Sequence, residues 1–239
     1  MFKIVRKITL ALILVAALLV PAMAQAAGPP PLPKASNGAK VTRFATGVPV
    51  PTQVAFSGRN AFVAGATEGP FKGGLFVVKP GAKKAVKIPG TVKGAFGVAA
   101  KAGKVFVSSG RQVIAFARFD GKRFRARKVI YSGPKNFTGF SGLAIGPNGR
   151  LYAVEARGRS AQEDRSGRLT CTQILEDAAV ICRDAATGSL LWEKPLQWPE
   201  ARDVLGLSVV GNQLLLSAAQ SVGQQAEYQL RCWSADDGR

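Results

Sequence analysis

The sequence predicts an all-β, β-propeller-like chain of about four blade repeats, and three observations carry that expectation. An apolar hairpin recurs four times along the 239 residues. Its spacing matches the length of a four-stranded blade. Further apolar runs follow each hairpin, where a third and a fourth strand belong.

The clearest hairpin spans residues 139–156, GFSGLAIGPNGRLYAVEA. Two apolar strands flank a turn carrying Pro, Asn and Gly, the residue types that reverse a chain. The first copy is Gln53-Val54-Ala55-Phe56, a turn at 57–60, then Ala61-Phe62-Val63-Ala64. The second is Gly97-Val98-Ala99-Ala100, a turn at 101–104, then Val105-Phe106-Val107-Ser108. The third is Gly142-Leu143-Ala144-Ile145, a turn at 146–150, then Leu151-Tyr152-Ala153-Val154. The fourth is Gly206-Leu207-Ser208-Val209, a turn at 210–213, then Leu214-Leu215-Leu216-Ser217. Val54, Val98, Leu143 and Leu207 are equivalent, at spacings of 44, 45 and 64 residues. A four-stranded blade takes about 40–50 residues, so the last spacing implies an insertion of about 20, placed at the polar run 157–168.

Third strands are expected at 75–78, 113–116, 180–182 and 228–232, and fourth strands at 85–88, 127–131 and 191–196. The last repeat has no fourth strand of its own. Residues 40–45 have that strand's character, so they are expected to complete the last blade and close the ring. Full closure is how such sheets avoid an open edge. The competing readings are that residues 40–45 are a lead-in and that the chain is a shortened member of a larger propeller family.

Residues 1–27 read as a secretory signal: Lys3, Arg6 and Lys7, an apolar run at 8–20, and small-x-small sites at Ala22–Ala26. The run is short for a bilayer span of about 20 residues, so no membrane helix is expected after cleavage. Residues 28–39 open with GPPPLP, an extended linker by composition. Residues 40–239 are left for the propeller-like domain, ample for one core. The expected location is secreted or periplasmic.

Disulfides persist in such a compartment. Cys171 and Cys182 lie symmetrically about Glu176-Asp177, which makes them a disulfide candidate if that segment is a tight hairpin. Cys182 and Cys232 occupy equivalent places in successive repeats, too far apart to bridge, which leaves Cys232 free. The alternative is that all three are buried small apolar residues.

Charge is uneven. Residues 28–150 hold 21 Lys/Arg against 2 Asp/Glu, a net of +19, whereas residues 151–239 hold 9 against 12, a net of −3. Lys83-Lys84 and the run Lys122, Arg123, Arg125, Arg127, Lys128 concentrate the basic half. On a strand, Arg123, Arg125 and Arg127 would share one face, with Lys122, Phe124 and Lys128 on the other. Such a face attracts anions. The competing reading is a solvated outer strand whose charges keep a blade edge from pairing with another chain.

The sequence contains 0 His. That removes Ser-His-Asp and Cys-His catalysis and His-ligated metals. Chemistry would have to rest on carboxylates, Lys, Tyr or an oxygen-ligated ion such as calcium. Before Glu155 the carboxylates are Glu68 and Asp120, so a centre fed by four blades is poor in acidic ligands. Glu155 and Asp203, beside repeat strands, are the placeable candidates, and both also read as ordinary loop residues.

Two resemblances follow. PTQVAF, FGVAAKAGKVFV and FSGLAIGPNGRLYAVEA look like the gluconolactonase-like and NHL-type propellers across the first three repeats. That lactonase family holds a divalent metal on carboxylate and amide side chains in its channel, but its ligands have no residue-by-residue match here. Cys182-Arg183-Asp184-Ala185-Ala186-Thr187-Gly188-Ser189-Leu190-Leu191-Trp192 resembles the tryptophan-docking motif of quinoprotein-type propellers, with Cys182 in place of its Ala. The resemblance implies a tight turn at Asp184, Thr187 and Gly188, with Trp192 as a structural wedge between blades. CWSADDG, at 232–238, is a degenerate second copy. The family's enzymes bind a quinone and calcium, and the related soluble sugar dehydrogenases use a His base, absent here. Relatives without cofactor serve as interaction platforms.

The expected function is an exported, non-catalytic binding module whose basic face takes anionic polysaccharide, a lipid surface or an acidic protein. Nucleic acid is not an expected partner of an exported chain. No cofactor is expected, calcium being the one candidate ion. The alternative is a metal-assisted, gluconolactonase-like hydrolase of a small sugar derivative.

Overall fold

The computed structural model describes residues 38, 40, 42–133, 139–156, 178–196, 203–222 and 225–239. The chain divides into two units, residues 1–44 and 45–239. The segments expected as a signal (1–27) and an insertion (157–168), and almost all of the expected linker (28–39), lie outside the described residues. Among those described, no helix is long and apolar enough to cross a membrane.

The second unit is a four-blade β-propeller built of four antiparallel sheets. Blade one is β1 (Pro51–Ser57), β2 (Asn60–Gly65), β3 (Gly74–Val78) and β4 (Val86–Lys87). Blade two is β5 (Gly97–Lys101), β6 (Lys104–Ser109), β7 (Gln112–Phe119) and β8 (Phe124–Ser132). Blade three is β9 (Gly139–Ile145), β10 (Arg150–Ala156), β11 (Ala179–Asp184) and β12 (Leu190–Pro195). Blade four shows three strands among the described residues, β13 (Asp203–Val210), β14 (Gln213–Val222) and β15 (Gln225–Ser234). Within every blade the strands lie in chain order, so each repeat is one up-and-down meander. All four expected hairpins form, their turns sitting where Gly and polar residues interrupt the apolar alternation.

Residues face alternate sides along each strand, so each sheet has two apolar faces that neighbouring blades must cover. Three clusters do so. Phe62, Leu75 and Val77 of blade one meet Val98, Val105 and Phe116 of blade two. Phe106 and Ala115 of blade two meet Phe140, Leu143 and Leu151 of blade three. Tyr152, Val180 and Cys182 of blade three meet Leu207, Leu214 and Leu216 of blade four. Fully burying one such side chain contributes about 1.5–3 kcal/mol.

Among the described residues, the closing strand expected at 40–45 is not formed. Residues 42–45 form no strand, and the next residue, Thr46, pairs in parallel with Lys84 of blade one. The Thr46 N–H donates to the Lys83 carbonyl (3.0 Å) and Ala85 N–H donates to the Thr46 carbonyl (2.8 Å). That places Ala45 and Val48 over Phe76, Val78 and Ala85, the outer part of blade one's free face. Local apolar character suits either a ladder or a cover, and here the cover is adjacent in sequence and closes the smaller loop.

At Asp184–Ser189 the chain makes the tight turn that the docking motif implies. Asp184 Oδ1 accepts from the N–H groups of Ala186 (3.0 Å) and Thr187 (2.7 Å) and from the Thr187 hydroxyl (2.8 Å). These donors hold the Asp184 carboxyl below its ordinary range. Gly188 N–H donates to the Asp184 carbonyl at 2.8 Å. Gly188 has φ +84°, and a Cβ there would stand 2.0 Å from the Ile130 carbonyl oxygen of blade two. Ser234–Arg239 repeats the turn one blade later, with Gly238 N–H donating to Ser234 (2.9 Å). Trp192 lies against Gly238, where a Cβ would meet its ring at 3.1 Å, and its ring centroid is 5.8 Å from that of Tyr152. A turn glycine of one blade thus seats on the outermost strand of the blade before it.

Cys182 is buried with a free thiol, and Cys232 is exposed with a free thiol. Both sheet neighbours of Cys182 are taken, by Tyr152 on β10 and Trp192 on β12. Cys171 and the Glu176-Asp177 hairpin that would set it opposite Cys182 lie outside the described residues. Burial pushes the Cys182 thiol up to about 11 and the Tyr152 hydroxyl, which donates to the Ala235 carbonyl at 2.7 Å, up to about 12.

Two outcomes follow from this packing. Gly211→Ala, at φ +59° with open space around it, should cost about 1–2 kcal/mol of unfolding free energy through backbone conformation alone. Gly188→Ala should cost more than twice as much, and equal losses in denaturant titrations would refute the contact with Ile130. In the folded protein at pH 8, a maleimide should modify Cys232 within minutes while Cys182 reacts only after unfolding. Equal rates at the two sites would contradict the burial of Cys182.

Candidate functional site

A propeller offers two places for a site: the axis where the innermost strands converge, and the outer surface. The axis is reached by β1, β5, β9 and β13, and three of these strands carry glycine at the equivalent position, Gly97, Gly142 and Gly206. Gly97 has no room for a side chain, since a Cβ would lie 2.8 Å from the Gly142 carbonyl carbon and 2.9 Å from Leu143 N. Gly142, at φ +81°, would bring a Cβ to 3.3 Å from Leu207 Cβ. The fourth equivalent is Gln53, and its side chain takes the space the glycines leave.

Gln53 spends its whole hydrogen-bonding capacity there. Its Oε1 accepts from Val98 N–H of blade two (3.1 Å) and from Leu143 N–H of blade three (3.0 Å). Its Nε2 donates to the Leu143 carbonyl (2.7 Å) and to the Leu207 carbonyl of blade four (3.4 Å). One carboxamide from blade one therefore bonds to the backbones of the other three. Beside it, the Thr52 hydroxyl donates to the carbonyls of Ala64 (3.2 Å) and Ala95 (3.3 Å). Gln53 is the functionally placed residue that sequence reasoning passed over. Its signal was a long polar side chain where the other three repeats have glycine.

This arrangement has a chemical consequence. An oxygen-ligated ion at the axis needs several unengaged oxygens. The Gln53 oxygen already accepts two N–H bonds. Among the described residues no three of His, Cys, Asp and Glu converge. Glu155 and Asp203 lie in β10 and β13, and their side chains lie outside the described residues.

The outer surface carries the basic run. Asp120 closes the turn between β7 and β8. Its Oδ1 accepts from Lys122 N–H (2.9 Å) and Arg123 N–H (2.8 Å). Arg125 pairs with its Oδ2 at 2.6 Å and Arg123 reaches it at 4.0 Å. The Arg123 and Lys122 N–H groups, ahead of the Arg125 charge, lower the Asp120 carboxyl to about 2. Lys122, Arg123, Arg125, Arg127 and Lys128 are all exposed. Lys128 leans across to blade three and donates to the Ala186 carbonyl at 2.9 Å.

The expected two-faced alternation is not kept. Arg118 sits at φ +56° in β7, and the β7–β8 ladder shifts register between Val113 and Ile114. Phe124 turns inward, its ring 5.4 Å from Phe116 and 4.9 Å from Phe119, while Lys128 points to the opposite neighbour. Five cations stand against one carboxylate along this edge. Lys83 and Lys84 are exposed on blade one, beside Thr46, in a different sheet from the run.

No family model matches the chain, and no curated protein matches it. Solved structures do. Hydrazine synthase of Kuenenia stuttgartiensis is similar over 77% of this chain and 51% of its own, at 13% identity and a TM-score of 0.46. The chain therefore spans about half the length of that protein. The PQQ-bound aldose sugar dehydrogenase of Streptomyces coelicolor is similar over 81% of this chain and 84% of its own, at 14% identity and a TM-score of 0.43. Glutaminyl cyclase of Myxococcus xanthus is similar over 75% of this chain and 71% of its own, at 14% identity and a TM-score of 0.42. No activity, ligand or partner follows from likeness at this level, and the four-blade fold rests on the chain's own sheets.

The closed axis yields a measurable outcome. Gln53→Ala should strand two N–H and two C=O groups and cost about 1–3 kcal/mol for each donor or acceptor left buried without a partner. Gln53→Glu places a carboxylate against two carbonyl oxygens, so its folded-state pKa is raised. Its stability should approach that of the parent below the ordinary glutamate pKa of about 4.3 and fall as pH rises past it. Chemical denaturation of both variants from pH 4 to pH 8 reads this out, and a pH-independent Gln53→Glu would contradict the bonds drawn here.

Proposed function

We propose that the chain is an exported, non-catalytic binding module that takes anionic partners on the outer edge of blade two. The carrying observation is the pairing of a filled axis with an exposed turn and strand, residues 120–128, bearing five cations and one carboxylate. A side chain that bonds all three other blades leaves the outside as the surface for recognition. Anionic polysaccharide, an anionic lipid surface and an acidic protein patch share the chemistry this edge recognises. Export follows from the signal-like residues 1–27, and the gluconolactonase-like and NHL-type character of the first three repeats belongs to the same reading as scaffold rather than as activity. No observation at the axis favours the metal-assisted hydrolase.

Vesicles of phosphatidylglycerol, against phosphatidylcholine as control, test the proposal. A cation near an anionic surface contributes about 1 kcal/mol, so Arg123→Ser, Arg125→Ser and Arg127→Ser together should weaken binding roughly a hundredfold. Arg127→Ser alone should weaken it more than Arg123→Ser alone, because Asp120 already offsets the latter's charge. Binding should fall between about 0.01 and 0.15 M salt, as the screening length drops from about 30 to about 8 Å. Parent-like binding by the triple variant at low salt would reduce the run to a solvated edge strand.

A further inference from the structure

Among the described residues, apolar clusters seal three blade-to-blade faces and none is seen between blades four and one. Val98, Leu143 and Leu207 sit at the same place in their repeats, each facing the blade before it, and they are 1%, 1% and 4% exposed. The equivalent residue of blade one, Val54, is 48% exposed. It lies opposite Val63, on the face of blade one away from blade two. Ala45 and Val48 cover the outer part of that face and leave Val54 bare.

The free face of blade four has the matching defect. Leu215 lies opposite Cys232, and Ser217 opposite Leu230. These positions repeat Tyr152, Val154, Val180 and Cys182, which blade three buries against blade four. Here Leu230 is 68% exposed and Tyr228 77%. Side-chain clasps link consecutive blades elsewhere. Lys101 of blade two donates to the Gly146 carbonyl of blade three (2.7 Å), and Arg150 of blade three to the Asp236 carbonyl of blade four (2.7 Å). Between blades four and one the described residues show the Gln53–Leu207 bond at the axis.

We propose that this open seam is an interface between two copies of the chain, with blade one of one copy packing on blade four of the next. The chain already makes this kind of interface three times with itself, always the inner-strand face of one blade on the far face of the blade before. Blade four presents the far face, and blade one presents the inner-strand face, so a second copy offers each the kind of face that covers its equivalents elsewhere in the chain. Charge selects the head-to-tail order. Residues 45–96 hold 7 Lys/Arg and 1 Glu, a net of +6, while residues 203–239 hold 2 Arg and 4 Asp/Glu, a net of −2. Blade one against blade one would set like charges together, whereas blade one against blade four sets opposite ones. The chain as a whole is basic, so assembly is measured at about 0.15 M salt, where long-range repulsion is screened.

The test is the mass of the full secreted chain by sedimentation equilibrium as a function of concentration. Two copies or more are expected at high concentration. Val54→Lys spoils the blade-one face and Leu230→Lys the blade-four face, and each variant alone should remain a monomer. Mixed in equal amounts they should form a species of two copies that grows no further, since each keeps the face that the other has lost. Tyr228→Ser and Val54→Thr replace them if circular dichroism shows either lysine variant unfolded. A parent that is monomeric at every concentration overturns the proposal, including the case in which residues 1–44 of the same chain cover the seam. So does a dimer that one single variant leaves intact, or a mixture that stays monomeric.

Discussion

One carboxamide at the axis sets the terms for the rest of the fold. Gln53 has two donor and two acceptor positions, and each meets a backbone group of another blade. The innermost strands must approach closely for that reach to suffice, which is why the equivalent positions are Gly97, Gly142 and Gly206. A second long side chain at this level would meet backbone at under 3 Å, as the space around Gly97 shows. Volume therefore requires glycine at Gly97, and the left-handed backbone favours it at Gly142, where φ is +81°. The bonds to the other blades leave the Gln53 carboxamide itself without a free donor or acceptor position.

Farther out, cohesion comes from apolar clusters and from cations that clasp carbonyls. Lys101, Lys128 and Arg150 each donate to a carbonyl of the following blade, and Lys87 donates to the Gly73 carbonyl within its own. Arg183 packs its guanidinium 3.6 Å from the Tyr131 ring centroid of the preceding blade and donates to the Gly188 carbonyl at 2.9 Å. Part of the large positive charge is thus structural. A lysine suits this work because its long stem covers apolar surface while its head finds the unpaired carbonyl of a turn. The net charge of the basic half therefore overstates the charge free to meet a partner, and the edge of blade two matters because its cations outnumber the single carboxylate that engages them.

The strands and their turns were legible because each repeat alternates at period two between Gly-bearing turns, a signal that local sequence carries in full. The docking turn was legible for the same reason, since Asp184, Thr187 and Gly188 make their bonds within six residues. Less legible was anything that depended on which distant segment arrived first. Residues 40–45 have the composition of a fourth strand, yet the described residues 42–45 form none and the next residue, Thr46, pairs with Lys84 nearby. Alternation also does not foresee that Phe124 and Lys128 turn to opposite neighbours, on a strand paired with a β7 that carries the left-handed Arg118. Gln53 stood in plain view in the repeat alignment, but an alignment of apolar positions gives a lone polar residue no weight.

The same asymmetry explains why the two ends of the propeller differ. Blade one hides the outer half of its free face under Ala45 and Val48, which are covalently next to β1 and so lose little entropy in docking. Blade four has the turn Ser234–Arg239 that in blade three leads into β12, but the described residues provide no strand beyond it. Along the edge of β15 lie two exposed large apolar residues, Tyr228 and Leu230. Proteins ordinarily blunt such an edge with charge, proline or a bulge. β15 uses neither proline nor a break in its ten-pair register with β14. β15 does carry charge, at Glu227 and Arg231, so what marks it is the apolar face of Tyr228 and Leu230, and that surface lies at the opposite end of the blade series from the basic half.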